Sequence, residues 1–242
     1  MSSRAELELT YKVANAPISV FPFPHFFVRD VFPQDYYGVL QQMLPDPQAM
    51  LPIEGVRNVT GNKERFVLEL RDEHLATLPD DKRAFWSDLR SWMVGGAFAQ
   101  MLLRKFGTYL VQRFEGRKDV AYYDEALLVQ DTTHYKLGPH SDATRKVITL
   151  LFYLPKDLSQ SHLGTSIYVP NDRDFRCPGG PHYKHEDFER LWTMPFVPNS
   201  LFVFLKTDRS FHGLEPVADP DTRRWLLLYD IFVKPPAATL PV

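Results

Sequence analysis

From residue 120 onward the chain breaks into short alternating segments, and this run constrains the fold more than any other feature of the sequence. Residues 121–129, 147–154, 165–169, 201–206, 212–217 and 224–233 each read as a strand, with turn residues between them. The chain before residue 120 reads differently. Residues 80–106 carry Phe85, Leu89, Trp92, Met93, Phe98, Met101 and Leu102 at helical spacing, and the Gly95-Gly96 pair marks where that helix bends or splits. A shorter helix is expected over 35–44 after Pro33, a strand over 64–70, and an aromatic, proline-punctuated approach strand over 21–28. Helices first and strands afterwards predict a mainly β fold, a sandwich or barrel backed by N-terminal helices.

The strand 147–154 predicts which face looks inward. Thr149, Leu151 and Tyr153 share a face that carries hydroxyls, whereas Ile148, Leu150, Phe152 and Leu154 form a wholly apolar one, because side chains alternate along a strand. The mixed face is expected to line a pocket and the apolar face to pack on the long helix. With 242 residues, 44% of them hydrophobic, the chain is long enough for one domain with a real core. The expected division is 1–119 as support, 120–233 as the β core and 234–242 as a tail.

The net charge of −2 provides no basic footprint for nucleic acid or an anionic membrane, and no run approaches a membrane span. A lone Cys177 excludes an internal disulfide framework, and the first twenty residues lack a hydrophobic signal core. The expectation is a cytoplasmic protein acting on a small molecule or a protein side chain.

Chemistry concentrates in Leu137-Gly138-Pro139-His140-Ser141-Asp142 and in His212, far downstream. A His-x-Asp pair at a strand end offers an imidazole nitrogen and a carboxylate oxygen to one ion, and a distant histidine completes a face of three ligands. Two histidines and one carboxylate with open positions are the donor set of non-haem Fe(II) oxygenases.

These residues resemble the 2-oxoglutarate and Fe(II)-dependent dioxygenase superfamily, in its prolyl-hydroxylase-like and phytanoyl-hydroxylase-like branches. His140-Ser141-Asp142 is similar to the family's His-x-Asp motif and is followed by its strand at 146–154, while Gly164-Thr165-Ser166 is similar to its small-residue strand start. Residues 197–204 resemble the strand before the distal histidine, His212 with Glu215-Pro216-Val217 the distal motif, and Thr222-Arg223 the basic residue for the cosubstrate.

The resemblance implies a double-stranded β-helix, the cupin-like jelly roll, with His140, Asp142 and His212 holding Fe(II). It implies 2-oxoglutarate and O2 as cosubstrates, ascorbate as a candidate reductant, and hydroxylation of an unactivated C–H bond with release of succinate and CO2. Asp142 supports hydroxylation, since the family's halogenating members lack that carboxylate. An arginine suits the distal carboxylate of 2-oxoglutarate. Arg223 and Arg224 point to opposite faces of one strand, and Arg223, sharing a mixed face with Trp225, Leu227 and Tyr229, is the expected partner. Where family members often carry a tyrosine three positions before the first histidine, this chain has Leu137. Tyr135 and Tyr153 both stand as candidates for the cosubstrate's hydrogen bonds, with Thr149 on the same pocket face as Tyr153.

The irregular stretch 170–195 reads as an ordered active-site flap, with Arg173, Arg176, Tyr183 and Lys184 as substrate contacts. Cys177, His182 and His185 make a poor zinc site, lacking a fourth ligand in good spacing. His25, His74, His134 and His162 read as ordinary surface or core histidines. The competing functional reading is a catalytically inactive jelly-roll binding module. The intact triad and arginine favour the enzyme, because a binding module has no need of ionisable groups converging inside a barrel.

Overall fold

The computed structural model describes residues 2–57, 59, 61–117 and 119–235, so most of the expected tail lies outside the described residues. Among the described residues, seven α-helices lie in the first half: α1 (Ser2–Asn15), α2 (Gln34–Gln42), α3 (Ile53–Val56), α4 (Asp72–Leu75), α5 (Asp80–Met93), α6 (Ala97–Lys105) and α7 (Gly107–Arg113). Strands β1 (His25–Arg29), β2 (Leu51–Pro52) and β3 (Arg65–Glu69) are threaded among them. The second half supplies β4 (Tyr122–Thr132), β5 (Leu137–His140), β6 (Lys146–Tyr153), β7 (Ser166–Pro170), β8 (Phe188–Thr193), β9 (Ser200–Leu205), β10 (His212–Leu214) and β11 (Arg223–Val233).

The strands form two antiparallel sheets, one of seven in the order β1-β9-β6-β11-β4-β3-β2 and one of four in the order β5-β10-β7-β8. The result is a jelly roll backed by helices. Its larger sheet has two chemically distinct faces. Ile148, Leu150, Phe152 and Leu154, with Leu201, Val203, Leu227, Tyr229 and Ile231, face the helices in the main core. Leu151, Tyr153, Phe202, Phe204, Leu127, Val129 and Leu226 face the smaller sheet's Leu137, Ile167 and Leu214 in a second core. Each fully buried large apolar side chain in these layers contributes about 1.5–3 kcal/mol relative to exposure.

The helices follow from their spacing. Ala5, Leu9 and Val13 recur every fourth residue, so α1 buries one stripe against the core. Asp80 and Asp81 occupy the first turn of α5, where carboxylates suit the positive end of the helix. The long helix expected over 80–106 is two, because Gly95 takes φ +78° and donates its N–H to Asp124 Oδ2 at 2.7 Å. Three short strands were not expected, the two-residue β2 among them. Residues 188–193 form β8 rather than part of a flap, and β5 occupies the four residues that end at His140.

The outer face of the smaller sheet carries a separate cluster. Tyr168, Phe188, Phe211 and Cys177, with Phe175 and Tyr183, pack beneath the connection 171–187.

Candidate metal centre and its pocket

The antiparallel ladder of β5 and β10 sets His140 opposite His212, and Asp142 follows in the turn that leads into β6. The strands approach so closely that a Cβ on Gly213 would lie 2.4 Å from the Leu137 carbonyl oxygen, so the position beside His212 requires glycine. One ligand atom from each of His140, Asp142 and His212 lies within 4.8 Å of the others. His140 Nε2 stands 3.9 Å from Asp142 Oδ1, and His212 Nε2 stands 3.9 Å from Asp142 Oδ2. Each Nδ1 donates to a backbone carbonyl, that of Gly138 at 3.0 Å and that of Ser210 at 2.9 Å. Those bonds fix the tautomers and turn the Nε2 lone pairs toward the carboxylate.

The protonation states suit a cation. Burial, reinforced by the neighbouring His212, holds His140 well below the usual imidazole range, and burial lowers His212. Burial opposes the charge on Asp142, but Lys146 leads the groups that outweigh it, and the carboxyl lies well below the usual carboxylate range. Thr149 donates to Asp142 Oδ2 at 2.9 Å. Lys146 lies 3.4 Å from Asp142 Oδ1 and 3.0 Å from Asp230 Oδ1. With its ammonium shared, Asp230 is pushed up by burial to about 6. Two neutral imidazoles and one carboxylate, all buried and convergent, fit a divalent ion of the Fe(II) type.

The triad stands in the wall of a pocket of about 100 Å³ that is also lined by Arg65, Lys146, Thr149, Leu151, Thr165, Arg224, Leu226 and Leu228. Three adjacent strands supply a charge cluster there. Asp131 on β4 lies directly opposite Arg65 on β3 and Arg224 on β11. Arg65 donates to its two oxygens at 2.6 and 3.0 Å, and Arg224 Nη1 donates to Oδ2 at 2.7 Å. Arg224 Nε is held by the Leu163 carbonyl at 2.6 Å. Two guanidiniums share one carboxylate, so one positive charge is left over within this cluster.

This arrangement corrects the expected phase of the last strand. Arg223 is exposed and does not line the pocket, whereas Arg224 is 2% exposed and does. Trp225, Leu227 and Tyr229, read above as a pocket face, pack toward the helices, and the Tyr229 hydroxyl donates to Asp124 Oδ2 at 2.6 Å. Asp230 looked out of place on an outer face because its partner, Lys146, comes from another strand.

The hydroxyl candidates divide. Thr149 lines the pocket, but Tyr135 and Tyr153 stand behind its walls. Tyr153 Oη accepts from the Thr165 N–H at 3.1 Å. Tyr135 is buried, its hydroxyl has no partner among the described residues, and the Arg65 guanidinium lies 4.4 Å from its ring centre.

The expected substrate contacts of the flap do not gather at the triad. Arg173 pairs with Glu189 at 2.7 Å and Lys184 with Glu186 at 3.2 Å, while Arg176 donates to the carbonyls of Arg173 and Phe175. Tyr183 packs in the satellite aromatic cluster. Their charges are satisfied locally, which the sequence did not reveal. What the connection brings to the centre is backbone and His182. Tyr183 N donates to Pro139 O at 2.8 Å, His182 bridges His140, and their ring centres lie 4.6 Å apart. Gly179, at φ +133°, runs so close that a Cβ there would meet the Asp142 carbonyl oxygen at 2.1 Å. Arg65, Lys146 and His182 are thus among the site residues that sequence reasoning missed. Arg65 had a signal, since it shares a strand face with the inward Val67.

No protein-family profile matches the chain, and no curated protein is similar to it in sequence. Its fold is similar to solved structures. A prolyl-4-hydroxylase from Pseudomonas putida aligns at TM-score 0.52 and 11% identity, over 95% of this chain and 99% of that one. The non-haem alpha-ketoglutarate-dependent carbocyclase SnoK from nogalamycin biosynthesis aligns at TM-score 0.50 and 12% identity, over 93% and 83%. The alpha-ketoglutarate-dependent epimerase SnoN of the same biosynthesis aligns at TM-score 0.50 and 12% identity, over 94% and 80%. Across nearly its whole length, the chain has the jelly-roll fold of the 2-oxoglutarate and Fe(II)-dependent oxygenases.

Proposed function

We propose that the protein is an Fe(II)- and 2-oxoglutarate-dependent dioxygenase that hydroxylates an unactivated C–H bond of a small molecule or a protein side chain, releasing succinate and CO2. One observation carries this reading: a single pocket lined by both the His140, Asp142 and His212 donors and the surplus positive charge of the Arg65, Asp131 and Arg224 cluster. The two halves of 2-oxoglutarate match these two features, since its keto-acid group chelates a metal and its distal carboxylate needs a cation.

Bound Fe(II) supplies the activation of O2, a chemistry that side chains do not perform. The residues of the chain do the rest. The Gly138 and Ser210 carbonyls orient the two ligand imidazoles, and Thr149 orients Asp142. Arg65 grips Asp131 through both oxygens, which leaves Arg224 with N–H groups to present to a carboxylate. Leu151, Leu226 and Leu228 line the same pocket and lower its polarity, which strengthens each charge interaction inside.

The test has two arms. Fe(II)-loaded protein should develop a charge-transfer absorption when 2-oxoglutarate is added without oxygen. A succinate-release screen over small metabolites, sugar-containing intermediates and peptides, with ascorbate present as reductant, should then identify the substrate class. Absence of both the absorption and any succinate release would count against the enzyme.

A further inference from the structure

A groove-like cavity of about 570 Å³ shares no lining residue with the metal pocket. It lies where α7, the end of β9 and the turn after Asp142 meet, and two cations face it. Arg113 donates through Nη1 to the Lys206 carbonyl at 2.9 Å and through Nη2 to the Thr144 carbonyl at 2.8 Å. Lys206 Nζ donates to the Thr207 carbonyl at 2.7 Å. Each group keeps further N–H bonds to offer, two on the ammonium and three on the guanidinium.

What sets the pair apart is the absence of a counter-ion. Among the described residues, no carboxylate oxygen lies within 4.0 Å of either cation, although Lys206 is only 3% exposed. The cations that line the metal pocket, by contrast, are paired: Arg65 and Arg224 with Asp131, and Lys146 with Asp142 and Asp230. Asp208 lines the same cavity, but its side chain is 55% exposed and its nearest cation is Arg176 at 3.9 Å. Burial, with Arg113 beside it, brings the Lys206 ammonium down to about 8, and burial lowers Arg113 as well. A buried cation without an anion is costly, and an anion seated between the two removes that cost.

We propose that this cavity is a second ligand site, separate from the metal pocket, in which Lys206 and Arg113 hold the phosphate or carboxylate group of a small anionic molecule. Tyr109, Gln112 and Thr144 also line it and add neutral donors. The proposal is independent of the iron chemistry, so neither stands or falls with the other.

Calorimetric titration of the full chain at low salt tests it, with inorganic phosphate in one arm and acetate in the other. Phosphate should bind at one site, about tenfold or more weakly after Lys206→Met and after Arg113→Gln, and with unchanged affinity after Arg224→Met. Phosphate binding tighter than acetate assigns the site to phosphate compounds, and comparable binding assigns it to carboxylates. If Lys206→Met does not fold by circular dichroism, Arg113→Gln at the partly exposed end of α7 decides. No saturable heat with either anion, equal affinity in all variants, or a loss confined to Arg224→Met would overturn the assignment.

Discussion

Replacing Arg224 with methionine removes a guanidinium that is 2% exposed while keeping most of its apolar stem. The effects on the fold and on the pocket separate. Asp131 keeps both hydrogen bonds from Arg65, at 2.6 and 3.0 Å, so no buried carboxylate is orphaned and the ladder from β3 through β4 to β11 stands. The cluster, however, loses its surplus positive charge, because one guanidinium then faces one carboxylate. A dicarboxylate entering there would bury an unpartnered charge, which costs about 3–5 kcal/mol. At about 1.4 kcal/mol per decade this is two to three and a half orders of magnitude in affinity. Arg65 is 15% exposed and admits some solvent, so the lower end applies and a loss of about a hundredfold is expected. Anaerobic titration of the Fe(II)-loaded protein with 2-oxoglutarate, followed by the charge-transfer absorption, measures it. Arg223→Ala, an exposed change, is expected to shift affinity by no more than about twofold. An Arg224→Met protein within about threefold of the parent, or a larger loss in Arg223→Ala, would refute the charge argument.

His212→Ala should lower Co(II) or Fe(II) affinity by more than about a hundredfold with an unchanged circular dichroism spectrum, because the ring contributes a ligand while β10 is held in its sheet by backbone pairing with β5 and β7. Gly179→Ala should cost about 1–3 kcal/mol and weaken metal binding by pushing the loop off Asp142. Gly180→Ala, also at positive φ but with nothing within 4 Å, should leave metal binding nearer that of the parent, and a melt with a Co(II) titration separates the two. His25 is 8% exposed and held below the ordinary imidazole range by burial, against the opposing bond to the Phe23 carbonyl. The unfolded chain therefore takes up its proton first, and the His25 contribution is full above about pH 6.5 and declines below it. Urea unfolding at about pH 7.5 and about pH 5.5 should show a smaller loss of stability for His25→Phe than for the parent.

The sequence made some of this legible and hid the rest for identifiable reasons. The inward face of β6 was readable because Thr149, Leu151 and Tyr153 differ so plainly from the apolar Ile148, Leu150 and Phe152, and the structure sends the second set to the helices. The same reasoning failed on β11, where the interior face carries Arg224 and Asp230. Both charges are tolerated inside only because Asp131 and Lys146 arrive from β4 and β6, a fact no local window contains. The stripe Ala5, Leu9 and Val13 was visible at helical spacing, yet the segment was read only for a signal peptide, and α1 was missed. Strand β5, of four residues, is too short for periodicity although it ends on His140, whereas β10 falls inside the strand read at 212–217. The flap reading took Arg173 and Lys184 as free cations, whereas Glu189 and Glu186 occupy them.

The two sheets are reinforced unequally, and the two halves of the pocket inherit the difference. Asp131 and Arg224 lie on strands backed by the helical core, whereas His140 and His212 lie on a four-stranded sheet backed by a small aromatic cluster under one connection. Local opening starts where buried contacts are fewest. On warming or in mild denaturant, the histidine side should therefore loosen while the helix-backed sheet is still intact, and the protein should surrender its ion to a chelator before it melts. Inactivation and denaturation would then be two events with separate midpoints, and supplying excess metal would move the first without moving the second.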